Sequence, residues 1–200
     1  MLTIAIQAGG ESSRMRQDKA LVSFLGAPLI QRVFDRVVGL GDEILVTTNH
    51  PSAFAFLQAK LASDILPGHG ALGGLYTALS EASHPLVAVV ACDMPFVNPR
   101  LLAALRDRLA EAGCAAVIPT SAGGLEPFHA VYRRSACLPL IKSSLDTGLR
   151  RVDSWFTQAR IEYFSPEDVK LYDPHQMAFF NVNTPEDLKY AERYAREEPG

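Results

Sequence analysis

Cysteine is scarce in this 200-residue chain, and the three present, Cys92, Cys114 and Cys137, are odd in number with no Cys-x-x-Cys spacing. Neither a disulfide framework nor a zinc site is indicated, so the expectation is reduced, buried thiols in a cytoplasmic protein. Cys92 closes an apolar run, where a thiol more often packs than reacts. No stretch approaches the ~20 apolar residues of a membrane span. Met1-Leu2-Thr3-Ile4 lacks the basic start of a leader, so neither a span nor a signal peptide is expected. Excess charge of one sign is also missing. A net charge of −3 with no basic block argues against nucleic acid as a partner, because that affinity rests on neutralising phosphates. The Walker pattern Gly-x4-Gly-Lys-Ser/Thr is absent, which excludes a P-loop NTPase. The remaining composition, 48% hydrophobic and 20% charged, is that of an ordinary globular protein. The length fits a single domain over residues 1–200 with a substantial core.

Strand-like and helix-like patterns alternate along the chain. Residues 2–7 read as a buried strand, 28–38 as a helix with Pro28 in its first turn, 43–47 as a strand and 52–61 as a second helix. A short segment at 63–66 leads into a glycine loop at 67–74, and a helix follows over 75–82. Residues 86–92 are apolar throughout, as a strand covered on both faces requires. A helix over 101–112 and a strand over 115–119 come next. The alternation then weakens, with strands at 126–132 and 161–164 and a last helix opened by Thr184-Pro185-Glu186-Asp187. The predicted class is α/β: three layers, with a mostly parallel sheet that becomes mixed in its second half. Ligands of such sheets lie outside the carboxyl ends of the strands. Gln7 to Lys19, Asn49, Asp64 and Asp93 all fall there and should meet in one crevice.

The stretch at 5–19, Ala-Ile-Gln-Ala-Gly-Gly-Glu-Ser-Ser-Arg-Met-Arg-Gln-Asp-Lys, follows the first strand. Gly9 and Gly10 let backbone N–H groups face an anion without a Cβ in the way, and Arg14, Arg16 and Lys19 add positive charge. A triphosphate site is the leading reading, and a glycine turn beside a solvated basic loop is the alternative. Gly68-His-Gly-Ala-Leu-Gly73 matches the dinucleotide pattern Gly-x-Gly-x-x-Gly, with Asp93 twenty residues further on. However, Pro67 cuts the preceding strand short, more than sixty residues of α/β pattern come first, and residues 9–19 would stay unexplained. Asp93, straight after the apolar strand and before Met94-Pro95, suits Mg²⁺ shared with substrate phosphates and water. The structural alternative is a turn or cap aspartate. In Asn181-Val-Asn183 both amides fall on one face, able to meet a metal or phosphate or to satisfy the turn before Thr184. His69 lies in the glycine loop, His50, His84 and His175 read as surface or turn residues, and His129 as packed. Trp155 and the phenylalanines at 54, 56, 156, 164, 179 and 180 read as core.

Four motifs in order carry a family pattern: Ala8-Gly9-Gly10-x-Ser12-x-Arg14-Met15-x-x-Asp18-Lys19-Ala20-Leu21; Asp64 before Pro67-Gly-x-Gly-Ala-Leu-Gly-Gly74; Cys92-Asp93-Met94-Pro95-Phe96; and Phe180-Asn-Val-Asn-Thr-Pro-Glu-Asp-Leu188. From about residue 2 to 193 the chain resembles the molybdenum cofactor guanylyltransferases, the MobA family. Gly124-Leu-Glu126-Pro127 and Gly148-Leu-Arg-Arg151 also look like that family's second half. The resemblance implies a Rossmann-like nucleotidyltransferase that joins the GMP moiety of GTP to molybdopterin and releases pyrophosphate. It implies phosphate contacts from Ala8, Gly9, Gly10 and Lys19, with Gln7 and Arg14 beside them, and guanosine contacts from Asp64 and the loop of Gly68, Gly70, Gly73 and Gly74. Asp93 would hold Mg²⁺, with Lys19, Asp93 and Arg14 as the catalytic set. Asn181 and Asn183 would lie near the pterin or a second metal position, and Thr47 or Asn49 would add a further GTP contact. The resemblance also implies transient contact with molybdenum-insertion proteins and apo-molybdoenzymes.

The chain departs from the pattern where Arg16 replaces a usual Gly, Gln7 a usual Leu and Ala71 a common Pro. Ala-Gly-Gly favours guanine, since relatives that use CTP tend to carry Ala-Ala-Gly; Ala-Leu-Gly-Gly points the same way. A transferase for CTP or another phosphorylated acceptor, and a non-catalytic cofactor-delivery protein, remain alternatives.

Overall fold

The structure is a computed structural model that describes residues 1–9 and 19–197. Its strands are β1 (Leu2–Gln7), β2 (Ser23–Phe24), β3 (Ala27–Pro28), β4 (Glu43–Thr47), β5 (Lys60–Ala62), β6 (Leu86–Ala91), β7 (Ala116–Ser121), β8 (Gly124–Leu125), β9 (His129–Arg133) and β10 (Ile161–Phe164). Its helices are α1 (Leu29–Val37), α2 (Gly70–Glu81), α3 (Pro99–Ala112), α4 (Arg134–Asp146), α5 (Pro166–Lys170) and α6 (Pro185–Glu197).

The buried, mainly apolar runs take the centre. β1 pairs in parallel with β4 on one side and β6 on the other, and the main sheet runs β10-β7-β9-β6-β1-β4-β5. Only β9 is reversed along this path, pairing antiparallel with both β6 and β7, while β8 adds a short hairpin on β7. Alternate β1 residues feed opposite cores. Leu2, Ile4 and Ile6 pack with α1 and α3, while Ala5 packs with α2 and α4. A helix layer therefore covers each face, and full burial of side chains such as Ile4 and Ile6 is worth about 1.5–3 kcal/mol each. This is the expected three-layer α/β/α class, with β9 making the second half mixed.

Several local expectations give way to packing. Residues 52–61 are not a helix: Pro51–Phe54 is a 3₁₀ turn, and Lys60–Ala62 pairs with β4 as an edge strand. Phe54 and Leu57 are both buried, and their three-residue spacing imitates a helical face. α2 starts at Gly70 rather than 75, because burial of Leu72 and Leu75 outweighs the cost of about 1 kcal/mol per helical glycine. α4 and α5 had no clear sequence signal; α4 carries Pro139 in its interior. Phe56 is exposed rather than in the core. His129 is packed as expected, and Thr184 caps α6, its Oγ1 accepting from the Asp187 N–H at 3.1 Å.

Candidate active site

β1 and β6 end level with each other. Gln7 is in register with Ala91, and the Cys92 N–H donates to the Gln7 carbonyl at 3.0 Å. Gly9 and Asp93 therefore step off adjacent parallel strands at one height. Lys19 returns to this point: its Nζ donates to Asn183 Oδ1 at 2.7 Å and lies 4.0 Å from Asp93 Oδ2. Residues far apart in sequence thus meet in one cluster of a cation, a carboxylate and an amide.

A small separate core holds that cluster from behind. Phe24, Leu29, Phe96, Val182 and Ala191 are buried against one another. Each tethers one part of the site: Phe24 follows Lys19, Phe96 follows Asp93, and Val182 precedes Asn183. The β2–β3 turn, with Leu25 and Gly26 both at positive φ, has the primed form that suits a two-residue hairpin. The Leu25 N–H donates to Glu192 Oε1 at 2.8 Å and so ties the hairpin to α6. Asp187 Oδ2 accepts from the Asn183 and Thr184 N–H groups at 3.0 and 2.9 Å, completing a capping box that fixes the Asn183 backbone. The Val182 N–H donates to the Asp93 carbonyl at 2.9 Å.

The other side of the crevice comes from the ends of β4 and β5. The Ala8 N–H donates to the Thr47 carbonyl at 2.9 Å, and Thr47 itself is buried. Asn49 Oδ1 accepts from the Asp64 N–H at 3.3 Å, which links the two loops. Gly68 and Gly70 have positive φ, as a side chain would resist, and α2 begins at Gly70 without a side-chain cap. Gly73 is buried within α2, where an added Cβ would stand 2.7 Å from that of His69. Gly74 faces the Gln7 amide, whose Nε2 is buried with no hydrogen-bond partner among the described residues.

The electrostatics of the site are unbalanced. Burial pushes the Asp93 carboxyl above its ordinary value, and Lys19 and the residue's own backbone N–H only partly offset that. Among the described residues no three His, Cys, Asp or Glu side chains cluster as a metal cage.

Of the residues singled out in the sequence, Lys19, Asp93 and Asn183 stand together, and Gln7, Ala8 and Gly9 adjoin them. Asn49, Asp64, Gly68, Gly70 and Gly74 stand on the β4–β5–α2 side. Asn181 faces the opposite, β7–β9 side, its Nδ2 donating to the Phe179 carbonyl at 2.9 Å. Gly10 and Arg14, with Arg16, lie outside the described residues. His84 sits in the bend before β6, as a surface or turn residue should, and there joins a hydrogen-bonded group with Thr3 and Glu43 at the far end of the sheet.

One acidic residue had been given no role. Glu126 precedes β9, and because β9 runs antiparallel its amino end opens on the same edge as the carboxyl ends of its neighbours. The available signal was a lone acid, Glu126-Pro127, at the mouth of an apolar strand.

Comparisons with known proteins bear on this geometry. Residues 4–161 match the family model of the MobA-like NTP transferase domain. A probable molybdenum cofactor guanylyltransferase of Chloroflexus aggregans is 37% identical, over 97% of this chain and 95% of that one. A molybdenum cofactor guanylyltransferase of Desulfosudis oleivorans is 32% identical, over 96% and 94% of the two chains. The crystal structure of molybdopterin-guanine dinucleotide biosynthesis protein A from Archaeoglobus fulgidus superposes with a TM-score of 0.87 at 28% identity, covering 98% of this chain and all of that one.

Proposed function

The chain belongs to the MobA-like NTP transferase family, and from that premise we propose that it transfers GMP from GTP to the terminal phosphate of molybdopterin, releasing pyrophosphate. Membership makes it a nucleotidyltransferase; the donor, the acceptor and the residue roles are the proposal. The observation that carries it is the meeting of Lys19, Asp93 and Asn183 beside Gly9, where two parallel strands end.

Asp93 suits a hard divalent cation. It is a desolvated oxygen donor, and Lys19 is its only charged side-chain neighbour among the described residues. Among the described residues no protein cage surrounds it, so Asp93 would hold Mg²⁺ as a shared ligand beside phosphates and water. Bound there, Mg²⁺ supplies charge neutralisation to the triphosphate. The Ala8 N–H is held by the Thr47 carbonyl, so the Gly9 backbone cradles phosphate oxygens, joined by Gly10 and Arg14 on the sequence pattern. Lys19 balances the charge that develops on the leaving pyrophosphate, and Asn183 holds the Lys19 ammonium in place. Asn49, Asp64 and the turn before α2 take the guanosine, with the Gln7 amide nearby.

A phosphate oxygen of the acceptor attacks the α-phosphorus in line. A new P–O bond forms as the bond to the bridging oxygen breaks, and pyrophosphate leaves. The attacking phosphate monoester is already ionised at neutral pH, so no general base is needed, and positioning and charge stabilisation carry the reaction. The three free thiols suit a reaction in the cytoplasm.

Pyrophosphate release on mixing the protein with GTP, Mg²⁺ and molybdopterin, with CTP as control, tests the reading. Lys19→Ala should cost about 10²–10³ in rate, the usual loss for one preorganised charged group. Turnover with CTP alone would overturn the donor. Cofactor binding without pyrophosphate release would make the chain a delivery protein.

A further inference from the structure

On the β7–β9 side of Asp93, away from Asn49 and Asp64, lies a cleft of about 520 Å³. That volume falls within the range of small-ligand sites, roughly 300–1,000 Å³. Ser121, Glu126, Val169, Phe179, Phe180 and Asn181 are among its walls. The two aromatic rings are braced from behind: Phe179 meets His129 edge to face at 5.1 Å, and Phe180 meets Phe96 at 6.2 Å. The cleft also connects with the reaction centre through the chain itself, since Asn181 lines it and Asn183, two residues on, holds Lys19.

Glu126 is the only charged side chain of the cleft among the described residues, and it is firmly oriented. The Gly123 N–H donates to Ser121 Oγ at 2.9 Å, and the Ser121 hydroxyl donates to Glu126 Oε1 at 2.6 Å. The backbone is anchored as well, with the Glu126 N–H on the Pro119 carbonyl at 2.9 Å. Oε2 has no partner among the described residues. A half-buried carboxylate with one oxygen pinned and the other unmatched is under-solvated, and burial raises its pKa despite the Ser121 bond. Oε2 is left open to a donor from a ligand.

We propose that this cleft receives the ring of the acceptor and that the Glu126 carboxylate reads its 2-amino-4-oxopyrimidine edge, making Glu126 the residue that selects a pterin. The assignment rests on the function proposed above. The 2-amino group and the N3–H of a pterin are adjacent donors, and a carboxylate is the side chain that accepts from both. Phe179 and Phe180 supply apolar wall for the flat ring. Guanine carries the same edge, but Gly9, Asn49 and Asp64 lie across Asp93 from the cleft, so the pterin rather than the donor base faces Glu126.

The test uses fluorescence titration of the full chain with 6-hydroxymethylpterin and with 6-hydroxymethyllumazine, whose 2-oxo group replaces the 2-amino donor. GTP with Mg²⁺ is titrated in parallel. Wild type should prefer the pterin by about ten- to hundredfold, the worth of a hydrogen bond to a charged group. Glu126→Gln keeps an oxygen for Ser121 but turns an amide donor toward the ring, and it should abolish that preference while leaving GTP affinity unchanged. A thermal melt confirms folding, and replacing an under-solvated carboxylate with a neutral amide should not lower it. The proposal is overturned by a preference that survives in Glu126→Gln, by a wild type that binds neither ring, or by a loss confined to GTP. Binding is read without turnover, so a chain that used CTP would refute the donor assignment and leave the Glu126 result standing.

Discussion

Glu43 and Asp93 stand at opposite ends of the central sheet with nearly equal side-chain exposure, 17% and 19%, yet their carboxyls are pushed in opposite directions. Burial acts to raise both. At Glu43 it is outweighed: the Thr3 hydroxyl donates at 2.6 Å, the Ser83 N–H at 2.9 Å and the Ser83 hydroxyl at 2.7 Å, so the carboxyl sits below its ordinary value. At Asp93 burial wins, because Lys19 at 4.0 Å is too distant to compensate. The amino-terminal edge closes its polar groups on one another, and the carboxyl-terminal edge leaves them owed to a ligand. The first arrangement serves stability and the second serves binding.

The sharpest way to break this contrast is Asp93→Asn. Catalysis should fall by about 10²–10³, since the group proposed to hold the cation is lost. The ligand-free melting temperature should nevertheless rise. The native carboxyl has the higher pKa, so above that value its ionisation costs stability, and the cost is relieved as pH falls toward the ordinary 3.8. Calorimetry beside initial rates of pyrophosphate release reads both. A variant that lost activity and stability together would show Asp93 to be a structural residue like Glu43.

Glu43→Ala is the mirror experiment, with a smaller effect. Losing these bonds and leaving the fully buried Thr3 hydroxyl to His84 alone should cost about 2–3 kcal/mol. At 2–4 °C per kcal/mol for a chain of this size, the melt should drop by roughly 4–12 °C, with kcat per folded molecule unchanged. The pH dependence has the opposite sign to that of Asp93. The contribution of Glu43 is complete above its ordinary 4.5 and is lost as pH falls through its lower native value. Urea unfolding between pH 7 and 3 should therefore show the variant lacking part of the acid loss. A change in kcat would mean the two ends of the sheet are coupled.

The functional edge was more legible than the elements around it, for a physical reason. Strands that are mainly apolar on both faces, such as β1 and β6, belong at the centre of a covered sheet, so the polar residues that follow each one lie on the ligand edge wherever the rest of the chain goes. That logic located Lys19, Asp93, Asn49 and Asp64. It did not reach the core of Phe24, Phe96 and Val182 that braces them, because those residues come from three distant segments with no shared periodicity. It passed over Glu126 because β9 is reversed, so its ligand edge is its beginning rather than its end. Residues 52–61 and 70–74 misled local propensity in opposite ways. The segment with an i, i+3 apolar pair became a 3₁₀ turn followed by an edge strand, and a glycine-rich run became helix once its leucines were buried.

The smallest effect is the most discriminating. The resemblance puts Leu where Gln7 stands, and Gln7 Nε2 is buried against Gly74 without a partner among the described residues. An unsatisfied buried donor costs on the order of 1 kcal/mol, so Gln7→Leu should raise the ligand-free melt by a few degrees. If that donor is owed to the nucleotide, the gain must reverse on binding. GTP with Mg²⁺ should then stabilise the variant less than wild type, with a KM for GTP about two- to tenfold higher, the worth of one neutral hydrogen bond. A variant that gained stability and kept the full GTP shift would reduce Gln7 to a packing imperfection. The open polarity of this edge would then belong to Asp93, Lys19 and Glu126 alone.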